Sequence, residues 1–418
     1  MRAFRAPKKK SLKRGKFHLM TLTLLLDLDD TLLGTNQDVF IPAYFQALSA
    51  RLAPTLAPAL VARALLAGTS AMNGSENHSR PLSEVFDDVF YPTLGLQKGN
   101  LDSAIEKFYD ETFPTLEPVT QKKPDAKPFV EWAKSQGFRL VVATDPLLPR
   151  KATYHRIRWA GFDPAEFELI SSFEDFHFSK SFPAYYAEVL GRIGWQEGPV
   201  LMVGNDLQRD ILPAKRLGLQ TFFLDGESAS NPGPETGLRG SLPDLRRILE
   251  SADRASFNPN FTSRDSILAI HASTPAVLNG LTRGLSPEQW MRKPSPVEWN
   301  LTELICHLRD TEREIHHMQL KLFDADSEPF IPRPDTDVWA SQRDYLHEDG
   351  ASALREFNEA RQDTLEMLKN RPGEGWERRA RHAIFGPTNY REVARFMADH
   401  DRMHIQQAWN LLKNLSRE

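Results

Sequence analysis

Thr21-Leu-Thr-Leu-Leu-Leu26 runs directly into Asp27-Leu-Asp-Asp-Thr31, and the reading of this junction decides the fold. A short apolar run between polar residues reads as a strand buried on both faces, as in a parallel sheet. In open α/β sheets, ligands sit just beyond the carboxyl ends of the strands. Asp27 and Asp29 stand there one residue apart, with the Thr31 hydroxyl close by. Two such carboxylates can bind Mg²⁺ and divide the work of nucleophile and proton carrier. An acidic turn after a strand is the plain alternative, so later segments must decide.

Residues 138–143, 167–170, 199–204 and 220–224 are further short, largely apolar runs, mostly followed by polar turns. Helical patterns such as Pro128–Gln136 separate them. The alternation predicts an α/β fold, a doubly wound parallel sheet covered on both faces. From Thr35 to about Lys123 the apolar residues recur at helical spacing, as in Phe40–Leu52 and Pro58–Ala67. That stretch reads as a helical insertion over the active-site edge. A helix at Leu242–Glu250 closes the first domain, residues 225–241 read as loop, and the polar stretch 251–262 reads as a linker. Beyond it Ser263–Leu281, Asn300–Phe323, Ala351–Asn370 and Tyr390–Leu415 are amphipathic, which predicts an all-α, four-helix bundle.

The bulk numbers agree with this division. A chain of 418 residues has room for two or three domains. Hydrophobic content of 40% and charged content of 26% suit a soluble protein. No apolar run approaches the length that spans a bilayer, so no membrane role is expected. The single cysteine, Cys306, excludes an internal disulfide and fits a reducing cytoplasm. Residues 1–19 hold eight basic residues (Arg2, Arg5, Lys8, Lys9, Lys10, Lys13, Arg14, Lys16) and no acid, and read as a disordered tail. The acidic body that follows argues against general nucleic-acid binding.

Three later segments join the opening one. They are Leu140-Val-Val-Ala-Thr144, Lys180 within Phe178-Ser-Lys-Ser-Phe-Pro183, and Val200-Leu-Met-Val-Gly-Asn-Asp-Leu-Gln-Arg-Asp210 with Ala214-Lys-Arg-Leu-Gly218. In order and strand-end placement, residues 20–250 resemble the haloacid dehalogenase (HAD) superfamily. The resemblance implies that Asp27 attacks phosphorus and forms an aspartyl-phosphate. Asp29 would protonate the leaving oxygen and then activate water, Thr144 would bond a phosphoryl oxygen, and Lys180 would neutralise charge. Lys151 is the nearest rival to Lys180. Mg²⁺ would be held by Asp27, the Asp29 carbonyl and an acid of the fourth segment. That segment departs from the family, reading Gly204-Asn205-Asp206. Either Asp206 is the ligand with Asp210 as its partner, the preferred reading, or Asn205 takes the ligand position. An acid at position 29 favours phosphatase over dehalogenase chemistry. Residues 36–123 resemble the family's helical cap, with Asn73, His78 and Arg80 as candidate substrate contacts.

The second half has its own signature in Leu285-Ser-Pro-Glu-Gln-Trp290, Val297-Glu-Trp-Asn-Leu-Thr-Glu-Leu-Ile-Cys-His-Leu-Arg-Asp-Thr-Glu312 and His400-Asp-Arg-Met-His404. His400 and His404 are four apart and share a helix face. His307 lies among Leu304, Ile305 and Leu308 on a core-facing stripe. Residues 263–418 resemble the DinB-like four-helix bundles, in which histidines at these three positions bind a divalent metal, here Zn²⁺ or Ni²⁺. Asp310 and Glu312 read as exposed helix acids, with orientation of the histidine site as the alternative, Cys306 as a packed thiol, and Trp290 and Trp299 as packing residues.

The expectation is therefore a cytoplasmic Mg²⁺-dependent phosphatase acting on a small phosphorylated metabolite, fused to a metal-binding bundle. The alternative makes the bundle the enzyme, a metal-dependent thiol S-transferase, with the first half as scaffold. Beyond the substrate, the partner expected is at most a second copy of the chain in a homodimer.

Overall fold

The computed structural model describes residues 21–52, 56–225, 237–336 and 338–415. The basic tail and most of the 225–241 loop lie outside these residues. In chain order the first domain begins with β1 (Thr23–Leu26), β2 (Leu33–Thr35), α1 (Gln37–Leu52), α2 (Pro58–Gly74), α3 (Leu82–Leu94), α4 (Asp102–Lys107) and β3 (Thr120–Lys122). It continues through α5 (Ala126–Ser135), β4 (Arg139–Val142), α6 (Arg150–Trp159), β5 (Leu169–Ile170), α7 (Pro183–Arg192), β6 (Val200–Gly204) and α8 (Leu212–Leu217). It ends with β7 (Gln220–Leu224), β8 (Leu238–Gly240) and α9 (Leu242–Ser251).

Six of these strands form one sheet in the order β5-β4-β1-β6-β7-β8, and every pair is parallel. The opening strand is central, with Leu26 beside both Val142 and Val203. Its leucines are wholly buried, as the uninterrupted apolar run requires. Helices α1 to α4 form the expected cap. They are joined to the sheet through the antiparallel strand pair β2–β3, which flanks the cap and which the sequence pattern did not suggest. Asp30, at a left-handed φ of 57°, turns the chain into β2 and accepts the Thr35 N–H at 2.8 Å.

The second domain comprises α10 (Arg264–Thr282), α11 (Pro287–Met291), α12 (Leu301–Asp310), α13 (His317–Ala325), α14 (Trp339–Gln342), α15 (Gly350–Asn370) and α16 (Tyr390–Leu415). Asn300 caps α12 in a reciprocal box with Glu303, which fixes where that helix starts. A wide π-helical turn over Thr311–His316 joins α12 to α13, so the expected long second helix is real but bulged. The domain is not wholly helical. Strands β9 (Phe330–Ile331), β10 (Arg379–His382) and β11 (Gly386–Asn389) make a small three-stranded sheet. None of the helices described is long and apolar enough to cross a membrane.

The stretch 251–262 is not a free tether. Arg254–Phe257 forms a 3₁₀ turn, the Phe257 ring is buried, and the Asn260 N–H donates to the Gly218 carbonyl at 2.9 Å. Aromatic residues inside a polar stretch, Phe257 and Phe261, are the reason it docks. Both halves also share one apolar cluster. It runs from Leu25, Val141 and Met202 of the sheet, through Tyr185 and Val189 of α7, to Ile267 and Val277 of α10 and Ile405 of α16.

Candidate functional site

At the carboxyl ends of β1, β4 and β6 the structure gathers a dense set of charges. The Asp27 N–H donates to the Val203 carbonyl at 2.9 Å, which ties the end of β1 to β6. Lys180 is buried between two carboxylates, with Nζ 2.6 Å from Asp27 Oδ1 and also paired with Asp210. Its main-chain N–H donates to Asp145 Oδ1 at 3.2 Å, so the loop as well as the side chain is anchored here. The Thr144 carbonyl accepts from Ser171 Oγ at 2.6 Å and from Tyr185 Oη at 2.8 Å, which fixes the end of β4.

Burial, and then the neighbouring Asp210 carboxylate, push Asp27 up to about 8 in spite of Lys180. Asp210 is also raised, chiefly by burial. Burial alone would lower Lys180, but the Asp210 and Asp27 charges outweigh it and hold the ammonium well above its ordinary range. Asp29 pairs with the guanidinium of Arg156, a buried residue of α6 that also lies over the Phe40 ring at 5.7 Å. The sequence reading passed over Arg156. Its signal was a basic residue between the apolar positions Ala152, Ile157 and Trp159 of an otherwise core-facing helix.

The fourth segment is arranged otherwise than expected. Asp206 Oδ1 accepts the main-chain N–H groups of Gln208 and Arg209 at 2.8 and 3.1 Å, and so caps the turn that follows β6. The physical cause is the unpaired donors at the start of a helical turn. Asn205 instead points its Oδ1 at Thr31 Oγ1, 3.2 Å away, beside the opening aspartates. Asp210 closes the site by accepting the Asp206 N–H at 2.9 Å, and Gly204 leaves it the space of a missing Cβ. Asp27 and Asp210 meet at Lys180 and Asn205 lies against Thr31, so the groups gathered at these strand ends offer oxygen donors, the chemistry that suits a hard cation. The buried Asp29 Oδ1 has no hydrogen-bond partner among the described residues, which leaves that oxygen free for the proton transfers expected of this side chain.

Other candidates lie elsewhere. Lys151 pairs with Glu106 and Asp110 of the cap. Arg80 is bound to Glu84 and Asp88, and His78 is buried against the second domain. A small apolar cavity of about 130 Å³ lies between the cap and the loop after Thr144, with Tyr44, Phe86, Tyr109 and Leu148 in its walls.

The second site lies between α12 and α16. His400 Nε2 is 3.2 Å from His307 Nε2 and 3.1 Å from His404 Nε2. Three nitrogens around a tetrahedral ion with bonds of about 2.0–2.1 Å would stand about 3.3 Å apart, so the cluster has the right size to hold a metal ion. Burial pushes His307 down to about 3, His400 well down and His404 down as well, which keeps the imidazoles neutral, as a metal requires. Gln407 Oε1 fixes His404 through Nδ1 at 3.0 Å, and Trp299 stacks over His404. Trp290 and Trp299 both pack against the core of this domain, as expected.

Asp310 and Glu312 are buried, not exposed as expected. The π turn rotates Glu312 inward, where Arg361 binds it through Nε and Nη2, both at 2.7 Å, and His316 Nδ1 lies 2.8 Å away. Arg361 also pairs with Asp401, between the two histidines of α16. Arg361 holds Glu312 well below the usual carboxylate range against the effect of burial.

These two sites define a capped α/β hydrolase joined to a histidine-bearing bundle. Residues 21–218 match the family model of haloacid dehalogenase-like hydrolases, and residues 271–408 match the DinB superfamily. The protein is a haloacid dehalogenase-like hydrolase domain fused to a DinB-superfamily domain. No curated protein matches the chain. Among solved structures it is similar to a HAD phosphatase from Thermococcus onnurineus, at 19% identity over 56% of this chain and 100% of that one, with a TM-score of 0.38. It is also similar to the magnesium-bound putative HAD-hydrolase YfnB of Bacillus subtilis, at 21% identity over 55% and 99% of the chains, with a TM-score of 0.36. YfiT of Bacillus subtilis, a probable metal-dependent hydrolase, is similar at 17% identity over 37% of this chain and 87% of its own, with a TM-score of 0.34.

Proposed function

We propose that the first domain, residues 20–250, is a Mg²⁺-dependent phosphatase acting on a small phosphate monoester. The observation that carries this reading is Lys180, buried between Asp27 and Asp210 at the strand ends, with Asp29 beside them. A carboxylate that attacks a phosphoryl group must overcome like-charge repulsion, and a buried ammonium lowers that barrier at low cost in reorganisation. An Asp27 oxygen forms the bond to phosphorus as the bond to the leaving oxygen breaks. Asp29 gives that oxygen its proton, then takes one from the water that attacks the aspartyl-phosphate and releases inorganic phosphate. Thr144 donates to a phosphoryl oxygen, and Lys180 balances the charge on it. Mg²⁺, held by Asp27, the Asp29 carbonyl, Asn205 and Asp210, would supply further positive charge. In this reading Asp206 supports the site as a cap and is not itself a ligand. The second domain, residues 263–418, would hold Zn²⁺ or Ni²⁺ on His307, His400 and His404.

The test is hydrolysis of an aryl phosphate by the full chain with Mg²⁺. Activity should need the ion and fall by at least about a thousandfold in Asp27→Asn. Turnover undiminished in that variant would refute Asp27 as the nucleophile. Release of halide from a 2-haloacid, without phosphatase activity, would replace this chemistry with the dehalogenase one.

A further inference from the structure

Residues 75–81, which connect α2 to α3 in the cap, lie in a seam between the Lys180 loop and the second domain. Asn279 of α10 donates from Nδ2 to the His78 carbonyl at 3.4 Å, and its Oδ1 accepts from Asn358 Nδ2 of α15 at 3.1 Å. The His78 ring is buried and bonds the Asn358 main chain. Glu76 pairs with Lys369 at the far end of α15. The same cap edge also holds the catalytic loop. Leu82 and Ser83 donate their N–H groups to the Phe176 and Phe173 carbonyls, each at 2.8 Å. Ser179, next to Lys180, donates to the Asn73 carbonyl at 3.2 Å.

We propose that the second domain latches the cap. Asn279 and Asn358 are positioning residues that, through His78, keep the 73–84 edge seated on the Lys180 loop, so substrate exchange requires this seam to open. A cap admits substrate by moving about a hinge. Here the hinge is the paired strands β2 and β3, through which the chain enters and leaves the cap, braced by Lys123 Nζ on the Asp30 carbonyl at 2.6 Å. The seam is polar and made of a few bonds, whereas α7 and α10 are packed through an apolar core. It can therefore open while the two domains stay together, since local openings begin where buried apolar contacts are few. The exchange of substrate rests on the phosphatase reading; the latch does not.

Hydrogen exchange on the full chain tests it, with the Asn279→Ala/Asn358→Ala double variant. The reporters are the Leu82 and Ser83 amides, which touch neither asparagine. They should exchange about tenfold faster, with the amides of α7 and α10 unchanged. If the double variant does not fold, the exposed change Lys369→Glu opens the same seam by repelling Glu76 and should act in the same direction. In aryl phosphate hydrolysis, KM should rise severalfold with kcat equal to or above the wild-type value. Unchanged protection of Leu82 and Ser83 would overturn the latch. Faster exchange with KM and kcat both at wild-type values would overturn it too, since the seam would then be packing with no hold on substrate. A wild type inactive toward the aryl phosphate would dismiss the phosphatase reading and leave exchange to decide the latch.

Discussion

Gly191 of α7 and Val277 of α10 meet where the two domains join, with no room for a Cβ on the glycine beside the valine methyls. A helical Gly→Ala change ordinarily gains about 1 kcal/mol. Here the added methyl must push two buried helices apart, which costs about 1–3 kcal/mol. Gly191→Ala should therefore be neutral to destabilising in thermal unfolding, and Gly191→Leu should lose about 3 kcal/mol or more. A stabilised Gly191→Ala protein would mean that the helices can separate cheaply.

Arg361 is the only cation that binds both Glu312 and Asp401 among the described residues, and all three side chains are fully buried. Removing one partner of a buried pair costs about 3–5 kcal/mol, because the charges left behind stay desolvated. Arg361→Met should lower the unfolding free energy by that amount, read as the shift in denaturant midpoint multiplied by the slope m. The double change Glu312→Gln/Arg361→Met should recover part of it. A loss below about 1 kcal/mol would place water in the network.

Asp27 is held at about 8 in the folded chain against 3.8 for a free side chain. Between those values the folded state keeps a proton that the unfolded state has released, so its contribution to stability falls as pH rises through this window. A cation among the same oxygens relieves the penalty. Mg²⁺ should thus raise the melting temperature by a few degrees more at pH 8 than at pH 5. Equal shifts at both values, followed by scanning fluorimetry, would show that the ion binds away from Asp27.

The three histidines call for about one transition-metal ion per chain. Elemental analysis of protein from metal-replete culture should find it, and His400→Ala/His404→Ala should lose it. Chelation should lower the melting temperature of the wild type and leave that of the double variant unchanged. Wild-type protein free of metal would count against the site.

The parts of this molecule that were legible in advance are those set by local pattern. Short apolar runs ending in Asp27, Thr144 and Gly204 placed the strand ends, because a strand buried on both faces needs an unbroken apolar stretch. The four-residue spacing of His400 and His404 placed both on one face of α16. What escaped depends on distant partners. Arg156 meets Asp29 across 127 residues, and nothing near either one foretells the other. Charge and the four-residue spacing to Asp210 favour Asp206 over Asn205 in the sequence, whereas the free N–H groups of the turn after β6 claim the aspartate. Glu312 turned inward because of a π turn, which helical periodicity cannot anticipate. His78 is an ordinary loop residue until α10 is laid against it.

The apolar cluster that runs from β1 into α16 belongs to neither half. Heat should therefore melt the molecule as one body, and calorimetry should record a single transition, not two. Each half, expressed alone, would open its side of this shared cluster to water. Damage deep in one half should therefore weaken the other.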